Sequence, residues 1–102
     1  MNAYNDKEER HGPWEEYWEN GNLMYKKNYI NGKIHGLFER YHYNGNLEYR
    51  ENYVNGKVIG IKESYWYNGK LCYKGNYVND IPKGYFNNFW DDDKLNLKRY
   101  YL

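Results

Sequence analysis

The stretch GLFERYHYNGNLEYRENYVNGKVI, Gly36 to Ile59, decides the fold. It holds two Asn-Gly dipeptides, Asn44-Gly45 and Asn55-Gly56, each set between alternating apolar and polar residues. Asn-Gly in that setting is the strongest short hairpin signal, because a type I′ turn needs positive φ at both central residues and these two tolerate it. The unit recurs every 24 residues: Gly12, Gly36, Gly60 and Gly84 keep the spacing, as do Leu23, Leu47, Leu71 and Leu95, and Tyr29, Tyr53, Tyr77 and Tyr101. The turns follow it in two series. One runs Asn20-Gly21, Asn44-Gly45, Asn68-Gly69 and decays to Asp92-Asp93; the other runs Asn31-Gly32, Asn55-Gly56 and decays to Asn79-Asp80. A fixed period of this length marks a repeat architecture.

Treating each dipeptide as a two-residue loop fixes the pairing. Glu15 then faces Lys26, Glu39 faces Arg50 and Glu63 faces Lys74, three opposite-charge pairs on the same rung that played no part in choosing the register. The fold class expected is all-β: an elongated single-layer antiparallel meander of four β-hairpin repeats, about eight strands. Residues 1–11 read as a flexible tail or cap, and 12–102 as the repeat domain, in units 12–35, 36–59, 60–83 and 84–102. Alternation puts Trp14, Trp18, Ile34, Phe38, Val58, Trp66, Phe86, Trp90 and Leu97 on one packed face, with the leucine column, the Tyr29, Tyr53, Tyr77 and Tyr101 column, and Tyr25, Tyr49 and Tyr73. The glycine column falls there too, where a missing Cβ leaves room for a ring and predicts strong curling. The opposite face is expected to be wet, with the charge pairs and a thinner column of Tyr17, Tyr41, Tyr65 and Phe89, flanked by Tyr43 and Tyr67.

Composition bounds the function. At 102 residues, 28% of them charged, the chain is one domain at most and too small for most enzyme folds. The 22% aromatic content argues against disorder. Net charge is +1, with −2 in residues 1–51 and +3 in 52–102, too mild to draw nucleic acid or anionic lipid. No apolar run is long enough for a membrane helix or a signal peptide, so a cytoplasmic location is expected. Cys72 is the lone cysteine, which excludes an internal disulfide and a cysteine metal cluster.

Gly-x-x-x-x-Tyr, then Asn-Gly-x-Leu, then Tyr-x-Asn-Gly-Lys resembles the bacterial variant of the MORN (membrane occupation and recognition nexus) repeat. It is clearest at Gly36, Tyr41, Asn44, Gly45, Leu47, Tyr53, Asn55, Gly56 and Lys57. The resemblance covers 12–102, with a degenerate fourth unit whose turn is expected to be looser or longer. It implies an elongated hairpin sheet with no catalytic residues, and adaptor-like or antitoxin-like roles; the Asn, Lys and Tyr bias of the composition points to a bacterial or bacteriophage source.

No catalytic constellation emerges. Ser64 is the sole serine, and His11 and His35 share one repeat column while His42 stands where Trp18, Trp66 and Trp90 stand, a ring-sized structural substitution. Asp91, Asp92 and Asp93 read as turn residues before a cation site. Cys72, on the wet face opposite Tyr65, has only Lys74 near it to lower its pKa. No cofactor and no metal are expected. The function expected is a non-enzymatic protein-binding module, an inhibitor or adaptor whose partner is a toxin, a defence factor or a second copy of itself. The partner would dock on Tyr17, Tyr41, Tyr43, Tyr65, Tyr67 and Phe89, or along an open sheet edge, since tyrosine gives rigid contact area at low entropy cost. The competing reading is a module that binds small aromatic-stacking ligands, cell wall or phospholipid headgroups. Twenty large apolar side chains on one uncovered face also favour a homodimer.

Overall fold

The computed structural model describes residues 2–90, 92 and 94–102. Among these, eleven strands form one open antiparallel sheet: β1 (Ala3–Tyr4), β2 (Arg10–Tyr17), β3 (Leu23–Ile30), β4 (Lys33–Ile34), β5 (Gly36–Tyr41), β6 (Leu47–Val54), β7 (Lys57–Val58), β8 (Gly60–Tyr65), β9 (Leu71–Val78), β10 (Ile81–Phe89) and β11 (Leu95–Tyr101). The spatial order is β1-β2-β3-β5-β6-β8-β9-β10-β11, with the short β4 and β7 paired to β3 and β6. The hairpin meander is as the repeat predicts. The strand number exceeds eight because the chain breaks at His35 and Ile59, just before Gly36 and Gly60, and because Ala3–Tyr4 pairs with β2, where Tyr4 meets Trp14 edge-on and the Trp14 indole donates to the Ala3 carbonyl.

The two turn series differ, which corrects the expectation of a type I′ turn at every dipeptide. Asn31-Gly32, Asn55-Gly56 and Asn79-Asp80 do have positive φ at both residues. Asn20, Asn44 and Asn68 do not. There a three-residue loop forms, in which Gly21 donates to the Trp18 carbonyl at 2.9 Å, Trp18 donates to the Asn22 carbonyl at 2.7 Å, and only the glycine takes positive φ. The extra loop residue slips the register by one, so Tyr17 pairs with Leu23; a bulge at the next residue restores it, and Glu15 pairs with Lys26 as expected. The same bulge recurs in the second and third units, where Tyr41 pairs with Leu47 and Tyr65 with Leu71. Cys72 is therefore a bulge residue and does not oppose Tyr65. The fourth turn is no looser at its closure: Trp90 donates to the Lys94 carbonyl at 2.8 Å, the same span as Trp18 to Asn22.

The glycine column has a reason other than ring space. Gly12, Gly36, Gly60 and Gly84 have φ between 76° and 85°, and a Cβ on any of them would meet nothing within 4 Å. They bend the backbone. Ring space is the reason for Gly75, where an added Cβ would run into the Phe86 ring lying across the strand. The sheet spans 48 × 38 × 11 Å, a thin plate rather than the strongly curled ribbon expected.

The core is the packed face, and its buried apolar residues are Trp14, Tyr29, Phe38 and Phe86. Each large ring sits among tyrosines: Phe38 touches Tyr25, Tyr49 and Tyr53, and Phe86 touches Tyr73, Tyr77 and Tyr101, with centroids 4.8–6.2 Å apart. One corrected feature is the charge on this face. The Lys27 ammonium, 4.4 Å from the Tyr25 centroid, and the guanidinium groups of Arg10 over Trp14 and Arg40 over Trp18 lie on the ring faces themselves. In the third unit the ring column (Trp14, Phe38, Phe86) is occupied by Lys62, whose Nζ lies 3.4 Å from Glu51 Oε2. Glu51 is only 7% exposed and also accepts from the Tyr53 hydroxyl at 2.9 Å.

Two stability outcomes follow from this face. Gly75→Ala should cost about 1–3 kcal/mol in urea unfolding, and Phe86→Leu in the same chain should make the combined loss smaller than the sum of the two. Lys62→Met should cost about 1–3 kcal/mol by leaving a buried carboxylate short of a partner, whereas Glu51→Leu with Lys62→Leu should come out near neutral.

Candidate functional site

The face opposite the core is organised in rows that run across the strands. Pairing through β2, β3, β5, β6, β8, β9, β10 and β11 places Glu15, Lys26, Glu39, Arg50, Glu63, Lys74, Asn87 and Lys98 on one continuous rung. The signs alternate along it until Asn87. Three of these pairs were legible within hairpins; the joins between hairpins, Lys26 to Glu39 and Arg50 to Glu63, come from a two-residue register jump at Gly36 and Gly60. Arg50 donates to Glu39 Oε2 at 3.1 Å.

One rung toward the Asn-Gly loops lies the row expected to bind. Tyr17, Tyr41, Tyr65 and Phe89 alternate there with Leu23, Leu47, Leu71 and Leu95, their direct pairing partners. This corrects the leucine column, placed on the packed face by simple alternation; the one-residue slip at each three-residue loop carries it across. The phenols are anchored by the ladder's carboxylates. Tyr17 donates to Glu15, and Tyr65 donates to Glu63 Oε2 at 2.9 Å. The bond to Glu15 pushes the Tyr17 phenol up from its ordinary pKa, while burial and then the adjacent Glu39 and Glu63 raise Tyr41 and Tyr65. The Tyr17 and Tyr65 rings are thus held in place by their own glutamates.

On the ladder's other side Leu37, Ile61 and Tyr85 form a further column at the 24-residue period, exposed by 48%, 47% and 59%. Ile30, Val54 and Val78 form another, also exposed. Neither column was singled out from sequence, although the period alone would have found both. The face is thus apolar on both flanks of a charged stripe, drier than expected.

Tyr43 and Tyr67 do not flank that row. They stand in the loops against Trp18 and His42, at centroid distances of 5.7 and 5.3 Å. These loops are stitched from unit to unit. Trp18 Nε1 donates to the Tyr41 carbonyl and Trp66 Nε1 to the Phe89 carbonyl, and His42 Nε2 lies 2.9 Å from the Tyr65 carbonyl, filling the tryptophan's place. The Asn20 and Asn22 amides both donate to the Tyr43 carbonyl, as Asn44 and Asn46 do to Tyr67. At the opposite end of the strands Gly32, Gly56 and Asp80 donate back to the carbonyls of Arg10, Ile34 and Val58.

Among the described residues, no group of three or more His, Cys, Asp or Glu is poised for a metal. Of the acidic triplet, Asp91 and Asp93 lie outside the described residues, and Asp92 accepts from the Lys94 amide as a turn residue does. Burial raises the Cys72 thiol pKa, the direction of an unreactive cysteine. A shallow hollow on the packed face is bounded by Tyr73, Tyr77, Pro82, Phe86, Asn88, Leu97, Arg99 and Tyr101. No helix is long and apolar enough to cross a membrane.

A family model described as the MORN repeat variant matches residues 10–31, 34–55 and 59–79, more than half of the chain. No curated protein matches the chain, and no solved structure does.

Burial raises the phenol pKa of Tyr41, Tyr49, Tyr53, Tyr65 and Tyr73 above the ordinary 10.0, and Tyr53 and Tyr73 furthest. Tyr29 moves the other way, because bonds from Lys27 and Arg10 outweigh its burial. A phenol that holds its proton longer in the native state contributes stability that is complete below pH 10 and is lost as the pH rises through the folded value. The urea midpoint should therefore hold steady to about pH 9 and fall by about pH 11. The part of the tyrosinate absorbance that belongs to these raised phenols should rise together with unfolding.

Proposed function

The chain belongs to the MORN repeat variant family, and on that premise we propose that it is a non-catalytic protein-docking module of the inhibitor or adaptor kind, antitoxin-like in role. Repeats of this family are binding modules for proteins or phospholipid. The observation that carries the protein reading is the face opposite the core, where tyrosines held by their own glutamates alternate with leucines beside a charge-alternating rung. Pre-anchored aromatic rings lose little entropy on contact, and mixed charge gives register to a protein surface. A phospholipid reading has less support: the rung alternates in sign, so it offers no continuous basic patch to a headgroup layer.

The test is Tyr41→Ala with Tyr65→Ala in the full chain. Neither residue belongs to the buried core, so the far-ultraviolet spectrum should persist. Affinity for the protein partner captured from the chain's own host should drop by about tenfold or more, as for loss of interface anchors. Undiminished affinity would remove the row from the site, and no retained protein with the unaltered chain at micromolar concentration would sink the docking role.

A further inference from the structure

The charged rung has a symmetry that identifies one partner. Read from β2 to β11 it runs acid, base, acid, base, acid, base, amide, base. Reversed end to end, it presents a base wherever the original has an acid. A surface with that property is complementary to itself under a two-fold rotation whose axis lies between two stacked sheets and parallel to the strands. Such an axis turns the rung end for end while keeping each row at its own level, so the apolar rows also meet each other. An axis along the rung would instead lay Glu39 on Glu39 and Arg50 on Arg50.

We infer that the ladder face is the contact between two copies of this chain, stacked sheet on sheet about the strand-parallel axis. This deepens the docking reading above and rests on it. Centring the axis between the strands of Arg50 and Glu63 overlaps all eight long strands. It sets Arg50 against Glu63 of the second copy, Glu39 against Lys74 of the second copy and Glu15 against Lys98 of the second copy. Tyrosine rings then meet leucines across the interface, since the Tyr/Leu row alternates in the same rhythm. Area is ample: the plate measures 48 by 38 Å on a face, and a stable interface needs about 800 Å² from each partner. A net charge of +1 leaves little long-range repulsion between copies.

Light scattering of the full chain at micromolar concentration should give twice the monomer mass. For register, two chains carrying Cys72→Ser are prepared, one with Glu39→Cys and the other with Lys74→Cys. They are mixed and treated with a short bis-maleimide matched to the ~10 Å spacing of stacked sheets. The mixed cross-link should exceed both self cross-links by about tenfold, the factor expected where only opposite rungs meet. Predominant self cross-links would overturn the proposal, because they put like charges together. A monomer mass for the unaltered chain would overturn it whatever the variants do. In that event the docking reading stands if Tyr41→Ala with Tyr65→Ala still weakens capture of a different protein, and falls with the proposal if it does not.

Discussion

Everything about this sheet depends on four glycines that hold a left-handed backbone in the middle of otherwise extended chain. The type I′ turn at Asn31-Gly32 pairs Tyr29 with Ile34, and if that register continued, Lys26 would lie opposite Leu37. Gly36, at φ 85°, takes up two residues, and Lys26 meets Glu39 instead. Gly60 and Gly84 repeat the jump, bringing Arg50 to Glu63 and Lys74 to Asn87. Without them each hairpin would slide two residues along its neighbour, and the plate would shear into a staircase with no shared rung. An L side chain at such a φ costs on the order of 1–2 kcal/mol, so the column is glycine for its backbone and not for space. The ladder face is a product of that constraint.

This explains what could be read in the sequence and what could not. The hairpins, their order and the three charge pairs were legible because every hidden irregularity is even in its effect on the register. A two-residue jump leaves each side chain on its face. The three-residue loop at Asn20-Gly21 adds one and the bulge beside Leu23 returns one, so Glu15 still finds Lys26. Only the residues inside that short slipped segment went to the wrong side, which is why the leucine column and the partner of Tyr65 were misplaced. Neither the loop type nor the bulge has a signature of its own, since Asn-Gly serves a type I′ turn and a three-residue loop equally well. The placement of Tyr17, Tyr41 and Tyr65 in one row was legible from period and alternation; that of Tyr43 and Tyr67 was not, because loop residues follow neither.

The charges beneath the core were the other omission, and alternation had placed them correctly. Lys27, Arg40, Glu51 and Lys62 all have the parity of the packed face; the expectation that charge avoids such a face hid them. On a single layer that expectation is weak. No second sheet covers the rings, so long cationic side chains do it, each setting its charged head against a ring face. Lys62 goes further and replaces a ring outright, held by Glu51. Neighbouring units are then joined by stitched loops at both strand ends, a nearest-neighbour scheme in which each repeat is stabilised by the next.

The two faces therefore divide the work in an order opposite to their apolar content. The ring-rich face is already capped by its own cations, and a partner laid on it would have to strip water from several of them at once, a large desolvation cost. The ladder face carries its charge as a neutralised alternating stripe, with Glu39 and Arg50 already in contact, and leaves Leu37, Ile61 and Tyr17 exposed and Tyr41 and Tyr65 half-buried beside it. Covering that stripe exchanges one set of ion pairs for a crossed set of the same kind, while the apolar flanks supply the net gain. Apolar content alone would have chosen the other side of the plate. Counting what must be dehydrated favours this one for the docking proposed above.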